Sequence, residues 1–349
     1  MNTTLVSRNE RPPAAAGSGA RRLTERAFRI RESGIVVVLV VFVAVTASVQ
    51  HRFLNTTNIQ FILVNTTVFA LLALGETMVI VSRNYDLSVG SVLGLSAYLS
   101  ASLFGQHHGI SIVVAFLAGL GIGLACGLLN GIMVAAGRVP SLVVTLATLY
   151  IFRGVDILIV GGKEVVASSL PSAFLNIPKA TVIGIPDLAI VIAVVIGIGA
   201  YYMRSFRSGR ELYAIGSNPD AARLAGIPVG RRVFMAFAVS GAIAGVAGVL
   251  WAAQYGTVDS TAGTGYELQV ISAVVVGGVA IFGGSGSAVG AALGALLLNT
   301  ISSALYVLGI SPFWDQAIWG FLLILAISID RFIAVRLAAA LRRRGGRHE

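Results

Sequence analysis

Charge is what this sequence has least of. Asp, Glu, Lys and Arg together make up 11% of its 349 residues, where a soluble domain carries roughly a quarter. Hydrophobic residues make up 56% and the mean hydropathy is +0.87, which excludes an ordinary water-soluble globule and implies an integral membrane protein. Cysteine is reduced to Cys126 alone, so an intrachain disulfide and a cysteine-based metal site are both excluded, and the compartment stays unread from redox chemistry. Acid is scarcer than base, 15 residues against 25. The basic surplus is not a nucleic-acid footprint, because it gathers in the tails and one loop flanking apolar runs, where it reads as a topology signal. His107 and His108 stand side by side in a segment expected outside, with no spaced partner to ligate a metal, and read as solvated loop residues.

Long apolar runs are plentiful. "GIVVVLVVFVAVTASV" follows Arg21, Arg22, Arg26, Arg29 and Arg31 and lacks a small-residue cleavage site, so it reads as a retained first span rather than a signal peptide. Runs near the 20 residues needed to cross a bilayer recur about ten times: 34–50, 58–82, 88–105, 111–136, 140–160, 185–203, 233–254, 267–283, 286–308 and 313–330. An N-terminus inside puts Arg138, the arginines of 204–232 and the tail "LRRRGGRHE" inside as well, leaving Arg52, Lys163 and Lys179 outside. The expected fold is an all-α polytopic bundle of about ten transmembrane helices with both termini cytoplasmic. It divides into a basic tail (1–33), a transmembrane domain (34–330) with a cytoplasmic loop (204–232), and a second basic tail (331–349). Many of the 41 glycines fall within the runs, as in "GLGIGLACGLLNG" and "GGSGSAVGAALGALL", where small residues let helices pack closely without a hydrophobic driving force. "VGSVLG" (89–94) and "VGAALG" (289–294) hint at an internal duplication, each closing a polar interruption, as in transporters built from interrupted helices.

"VSRNYDLSVGS" sets Arg83, Asn84, Asp86 and Ser88 between two apolar runs with almost no linker. Backbone interrupted there must be buried in protein or line a watery cavity, so a broken or re-entrant helix is expected. Asp86 suits an N-cap position, its carboxylate accepting backbone N–H groups at the positive helix end; it either caps and pairs with Arg83 or also lines a solute path. Glu76, Asn130, Arg153 and Asp156 are costly in lipid and are expected to face inward. Arg153 and Asp156, three apart, read as a mutual pair. Glu76 suits an interhelical bond or a proton site, and Asn130 suits interhelical bonding. Tyr255, Asp259, Thr261 and Tyr266 in "AQYGTVDSTAGTGY" are candidates for a gate or partner contact, or are plain loop residues.

One polar stretch is long. In 204–232, Asn218 is a good N-cap with Pro219 at the first helical position, and "DAARLAG" should then form a short helix stopped by Gly226 and Pro228. Small side chains let such a helix seat in a groove of another protein. "DAARLAG" resembles the Glu-Ala-Ala-x-x-x-Gly coupling motif of ATP-binding-cassette (ABC) importer permeases, with Asp220 in the acidic place, Ala221, Ala222 and Arg223 following, and Gly226 closing it. "NYDLSVGS", "PSLVVTLATLYIFRGV", "GRELYAIGSNPDAARLAGI", "GTGYELQVISAVVVGG" and "FGGSGSAVGA" extend the resemblance, over nearly all of the chain after residue 34, to the permeases that import ribose, xylose, rhamnose and autoinducer-2.

The resemblance implies a dimeric channel of two permease subunits, identical or homologous, with cytoplasmic ATPases below and an extracytoplasmic sugar-binding protein above, in a bacterial inner membrane. ATP and magnesium would be bound by the partner ATPase, and this chain would bind no cofactor. The only Gly-Lys pair, Gly162-Lys163, is followed by Glu164 and makes no phosphate-binding loop. Residues Asp220–Gly226 would couple the ATPase to alternating access. Asp86, Ser88, Asn84, Glu76, Asn130, Tyr255, Asp259 and Tyr266 are the pathway or gate candidates, and 161–184 and 253–266 would either meet the binding protein or serve in gating. "RNYDLSVGS", "FRGVDILIVGGKE" and "SPFWDQAIWG" lean toward the rhamnose or autoinducer-2 branch. An ion-coupled sugar carrier, with Glu76 or Asp86 as its ion site, is the competing reading; a membrane-embedded enzyme lacks a nucleophile–base or metal constellation.

Overall fold

The computed structural model describes the backbone over residues 17–106 and 109–345, and most side chains between 33 and 332. His107 and His108 and the outer ends of both basic tails lie outside the described residues. The described residues are 77% helical, as expected where lipid offers no partner to backbone N–H and C=O groups. In chain order the helices are α1 (Gly17–Val49), α2 (Thr56–Val81), α3 (Val89–Gln106), α4 (Ile112–Ala135), α5 (Ser141–Val160), α6 (Ser172–Leu175), α7 (Asp187–Ser205), α8 (Arg207–Ser217), α9 (Pro219–Leu224), α10 (Val229–Tyr255), α11 (Tyr266–Val276), α12 (Ala288–Val307) and α13 (Trp314–Gly345). A two-stranded hairpin, β1 (Thr181–Val182) with β2 (Ile185–Pro186), precedes α7.

A helix occupies each of the ten apolar runs, and among the described residues six, α2, α4, α5, α7, α10 and α12, are long and apolar enough to cross a membrane. The run 267–283 departs from the expected single span. Helix α11 is 11 residues long, about 16 Å at 1.5 Å per residue, and cannot cross a core of roughly 30 Å. The chain unwinds after it because Gly278, Gly283, Gly284 and Gly286 all adopt positive φ, a region glycine enters without a side-chain clash.

The centre of the bundle is α2, 83% buried over its apolar window, with α10 and α12, whereas α7 is only 22% buried and lies at the periphery. Helices α4 and α10 pack closest. A Cβ on Gly123 would sit 2.2 Å from the Gly241 carbonyl oxygen, and one on Gly245 would sit 2.0 Å from that of Gly119. This is the backbone approach foreseen for "GLGIGLACGLLNG".

Helix α3 begins inside the bundle. A Cβ on Gly248 would meet the Leu93 carbonyl oxygen at 2.4 Å, and Gly248 lies about 10 Å short of the α10 end at Tyr255. Val89 therefore starts α3 well below that rim. The expected broken helix is real, and its break at 82–88 is lined by the buried Ser82, Asp86 and Ser88. The segment 256–265 folds inward to meet it, since a Cβ on Gly90 or Gly94 would strike the carbonyl oxygens of Gly263 and Ala262 at 2.5 and 2.3 Å.

Candidate functional site

Three groups of residues carry chemistry, and they occupy different heights of the bundle. The first is the break itself. The Asp86 N–H donates to Glu76 Oε1 at 3.1 Å, and Asp86 Oδ1 accepts the N–H and hydroxyl of Ser88 at 2.9 and 2.6 Å. Asn130 of α4 donates its Nδ2 to Ser88 Oγ at 2.8 Å. The four side chains form one chain of bonds joining α2, the break and α4, all at most 1% exposed. Glu76 Oε2 and Asn130 Oδ1 remain without partners among the described residues. Asp86 caps locally as expected but does not pair with Arg83, which is exposed at φ 66°. Asn84 turns back onto Ser82, donating to its carbonyl and hydroxyl oxygens. The break is anchored to α5 as well, through Ser141 Oγ accepting from the Tyr85 N–H and Thr145 donating to the Tyr85 carbonyl.

The second group faces the opposite end. Tyr255 and Gln254 share Asn65 of α2 as acceptor, at 3.1 and 2.9 Å. Tyr266 accepts from the Trp251 indole at 2.9 Å and stacks on Phe69 with ring centroids 4.4 Å apart. Asp259 folds onto its own loop, accepting from the Thr261 hydroxyl and N–H, and these bonds hold its carboxyl below the usual range. Arg153 behaves differently from the expected simple pair. It stands 3.7 Å from Asp156, but its Nη1 donates to the Ala262 carbonyl at 2.6 Å and to Ser260 at 3.2 Å. It pins the inward-folded loop to α5. The pathway candidates thus separate into a buried set (Glu76, Asp86, Ser88, Asn130), with Asn84 half-buried beside it, and an outer set (Tyr255, Asp259, Tyr266).

The third group is the polar loop. Asn218 Oδ1 accepts the N–H groups of Asp220 and Ala221 at 3.1 and 3.0 Å, Pro219 occupies the first turn, and the chain leaves through Gly226 at φ +77°. Helix α9 forms as its cap and stop residues dictate. Asp220 and Arg223 pair at 3.1 Å in the open, and Ala221 and Gly226 are exposed. Ala222 is not on that surface: it is 4% exposed, turned against the chain's own body. Leu224 is the residue sequence reasoning passed over, an apolar side chain 91% exposed at the tip of α9. Its signal was an unpaired leucine among small and charged residues.

Helix α8 links this loop to the break. Its inner face buries Leu212, Ile215 and Gly216, and Glu211 takes Arg207 at 2.8 Å together with Arg232 from α10. The hydrogen bond from Arg232, with that from Arg207, holds the Glu211 carboxyl below its ordinary value. In the last turn of α8, next to α9, a Cβ on Gly216 would lie 1.9 Å from the Val81 carbonyl oxygen and 2.4 Å from the Gly284 nitrogen. Gly284 donates to that same Val81 carbonyl at 2.9 Å, Tyr85 donates to the Ile281 carbonyl, and Tyr213 donates to that of Gly286 at 3.0 Å. Both interruptions, 82–88 and 277–287, therefore meet each other and the end of α8.

Crossing-length apolar helices around a buried polar break, with an exposed capped helix at one end, define a multi-pass membrane protein of the transporter class. The family model for the permease component of branched-chain amino acid transport systems matches residues 58–327, and the chain belongs to that family. The autoinducer 2 import system permease protein LsrC of Enterobacter sp. (strain 638) is 34% identical over 300 residues, 86% of each chain. The ribose import permease protein RbsC of Escherichia coli (strain K12) is 33% identical over 314 residues, 89% of this chain and 96% of that one. No solved structure matches.

Proposed function

We propose that this chain is the membrane subunit of an ATP-driven importer for a small polyhydroxylated solute, moved inward by alternating access. The relatives named for ribose and autoinducer 2 support that solute class over the amino acids of the family's description. The sequence motifs favour the autoinducer-2 or rhamnose branch within it. Two such subunits span a bacterial inner membrane with both termini inside, between an extracytoplasmic binding protein and cytoplasmic ATPases that hold the nucleotide and magnesium.

The observation that carries the reading is the continuity from α9 to the break. A docked ATPase would grip the exposed face of Asp220, Ala221, Arg223, Leu224 and Gly226. Displacement of α9 would pass straight to Gly216 in the adjoining last turn of α8, and from there to both helix interruptions at once. The buried set beside the break would lie on the inner part of the solute route, and the loop pinned by Arg153 on the outer part. A purification of the chain from its own membrane in mild detergent, with mass spectrometry of what accompanies it, tests this. An ATPase and a sugar-binding protein are expected. A preparation that transports sugar with no ATPase present overturns the reading.

A further inference from the structure

The periphery of the bundle holds an apolar groove of about 630 Å³ between α2, α4, α7 and α10, with Leu71, Leu120, Val191 and Val246 on its walls. Along α10 it extends from Val239 to Leu250, about 16 Å at 1.5 Å per residue. That is half of a hydrocarbon core of roughly 30 Å, the depth of one leaflet. Its lining contains one charged residue, Asp187, the first residue of α7. Asp187 Oδ1 is shut from solvent and has no hydrogen-bond partner among the described residues. Asp187 as a whole is only half-buried, so the rest of its carboxylate can meet a donor that enters the mouth.

The same mouth carries a cation. The Asp187 N–H bonds the Ala180 carbonyl at 2.9 Å, which places the hairpin's entry beside the start of α7, and Lys179, exposed, directly precedes Ala180. The arginines Arg204, in the last turn of α7, and Arg207 and Arg210, just after it, gather at the other end of α7. Anionic headgroups therefore find their attraction there and not at this mouth. An apolar trough one leaflet deep, topped by a carboxylate and an ammonium, matches a zwitterionic lipid whose headgroup ends in N–H donors.

We propose that the groove is a binding site for a phospholipid with a primary-ammonium headgroup, one acyl chain lying along α10, the ammonium on Asp187 and the phosphate facing Lys179. A quaternary ammonium has no N–H to give Asp187, so choline lipids would not substitute. The site is separate from the solute route and from α9.

Full-length chain is reconstituted in nanodiscs holding equal phosphatidylethanolamine and phosphatidylglycerol of identical acyl composition, released into mild detergent, and its retained lipids are counted by native mass spectrometry. Phosphatidylethanolamine is expected to exceed phosphatidylglycerol about five-fold, the ratio given by roughly 1 kcal/mol. Asp187→Asn should erase that preference. Val246→Trp, or Ala242→Phe if the first does not fold, should remove the retained lipid. Equal retention of both lipids by the unaltered chain, an unchanged preference in Asp187→Asn, or an unchanged lipid count in a folded groove-filling variant overturns the proposal. So does quantitative disulfide cross-linking of Val191→Cys between two chains, which would make a second copy the occupant; Cys126 is buried and does not confuse that readout.

Discussion

Replacing Gly216 with alanine perturbs the junction between α8 and both helix interruptions by a single methyl group. The new Cβ would stand 1.9 Å from the Val81 carbonyl oxygen and 2.4 Å from the Gly284 nitrogen, both backbone atoms, so no side chain can swing aside. Either α8 withdraws by more than 1 Å or the Gly284 to Val81 hydrogen bond of 2.9 Å opens. Overpacking a tight contact costs about 1–3 kcal/mol, and a lost hydrogen bond with buried ends adds roughly 1 kcal/mol. A total of about 2–4 kcal/mol is expected. The assay pairs thermal inactivation of the purified chain with ATPase stimulation by the loaded binding protein in the reconstituted importer. Gly216→Ala should lower the inactivation temperature and sever stimulation while ATPase still copurifies, because α9 itself is untouched. Gly226→Ala serves as the contrast: nothing lies within 4 Å of its Cβ position, so only the strain of alanine at φ +77° is added. A Gly216→Ala chain with unaltered thermal stability and coupling would refute the argument that α8 is wedged against the breaks.

Leu224→Ser should abolish ATPase copurification with no loss of membrane abundance, because that side chain touches solvent and not the chain's own core. Ala222→Leu should instead reduce abundance, by about 1–3 kcal/mol of overpacking, and a quantitative blot separates the two behaviours. Asn218→Ala removes the α9 cap and should cost about 1 kcal/mol of local stability, visible as faster amide exchange at Asp220 and Ala221. Glu211, held below its ordinary value by Arg232 and Arg207, stabilises the brace between α8 and α10 at every pH above the unfolded carboxylate value, and that contribution is lost as pH falls through the lowered one. Thermal stability should thus be flat from about pH 6 to 8 and drop below roughly pH 4, and Glu211→Gln should flatten the drop. Arg153→Met releases the carbonyls of Ser260 and Ala262 and should expose the 256–265 loop to protease without altering α9.

What sequence reading reached was what local chemistry decides. The cap, first turn and stop of α9 follow from Asn218, Pro219 and Gly226, each of which acts within a few residues. The α4 glycines announce close packing by their spacing, and the break at 82–88 announces itself because polar backbone between two apolar runs has to be enclosed. Burial on a six-residue helix was out of reach: Ala221 and Ala222 are the same residue type, and only the packing of α9 against its own body turns one out and the other in. The length of α11 was out of reach as well, since after Gln269 "VISAVVVGGVAIFGG" carries no polar side chain but Ser272, and only the glycine dihedrals show where the helix stops. Arg153 does pair with Asp156 as their spacing suggested, but its shorter bonds go to carbonyls more than a hundred residues away, which no local pattern announces.

The two interruptions differ in sequence, one rich in polar side chains and the other in glycine, and this difference suits what each has to do. Residues 82–88 keep their shape through side chains: Glu76, Ser88, Asn130, Ser141 and Thr145 bond the break from three helices. Residues 277–287 keep theirs through backbone conformations that only glycine adopts cheaply. A side-chain-held segment is rigid so long as its network stays whole, whereas positive-φ glycines can rotate with little steric penalty. If docking at α9 drives α8 against both at Gly216, the glycine segment is expected to yield first and to open the Gly284 to Val81 bond of 2.9 Å. Movement at the inner end of the bundle should therefore begin as a swing of 277–287 and the start of α12 against a stationary α2 and break. Spin labels at Phe282 and Arg83, both at this end and the latter exposed, should separate on ATP binding by the partner, whereas labels at Arg83 and Arg138 should hold their distance. Equal displacement of both pairs would show that the polar network moves as freely as the glycines, and the division of labour between the two interruptions would fall.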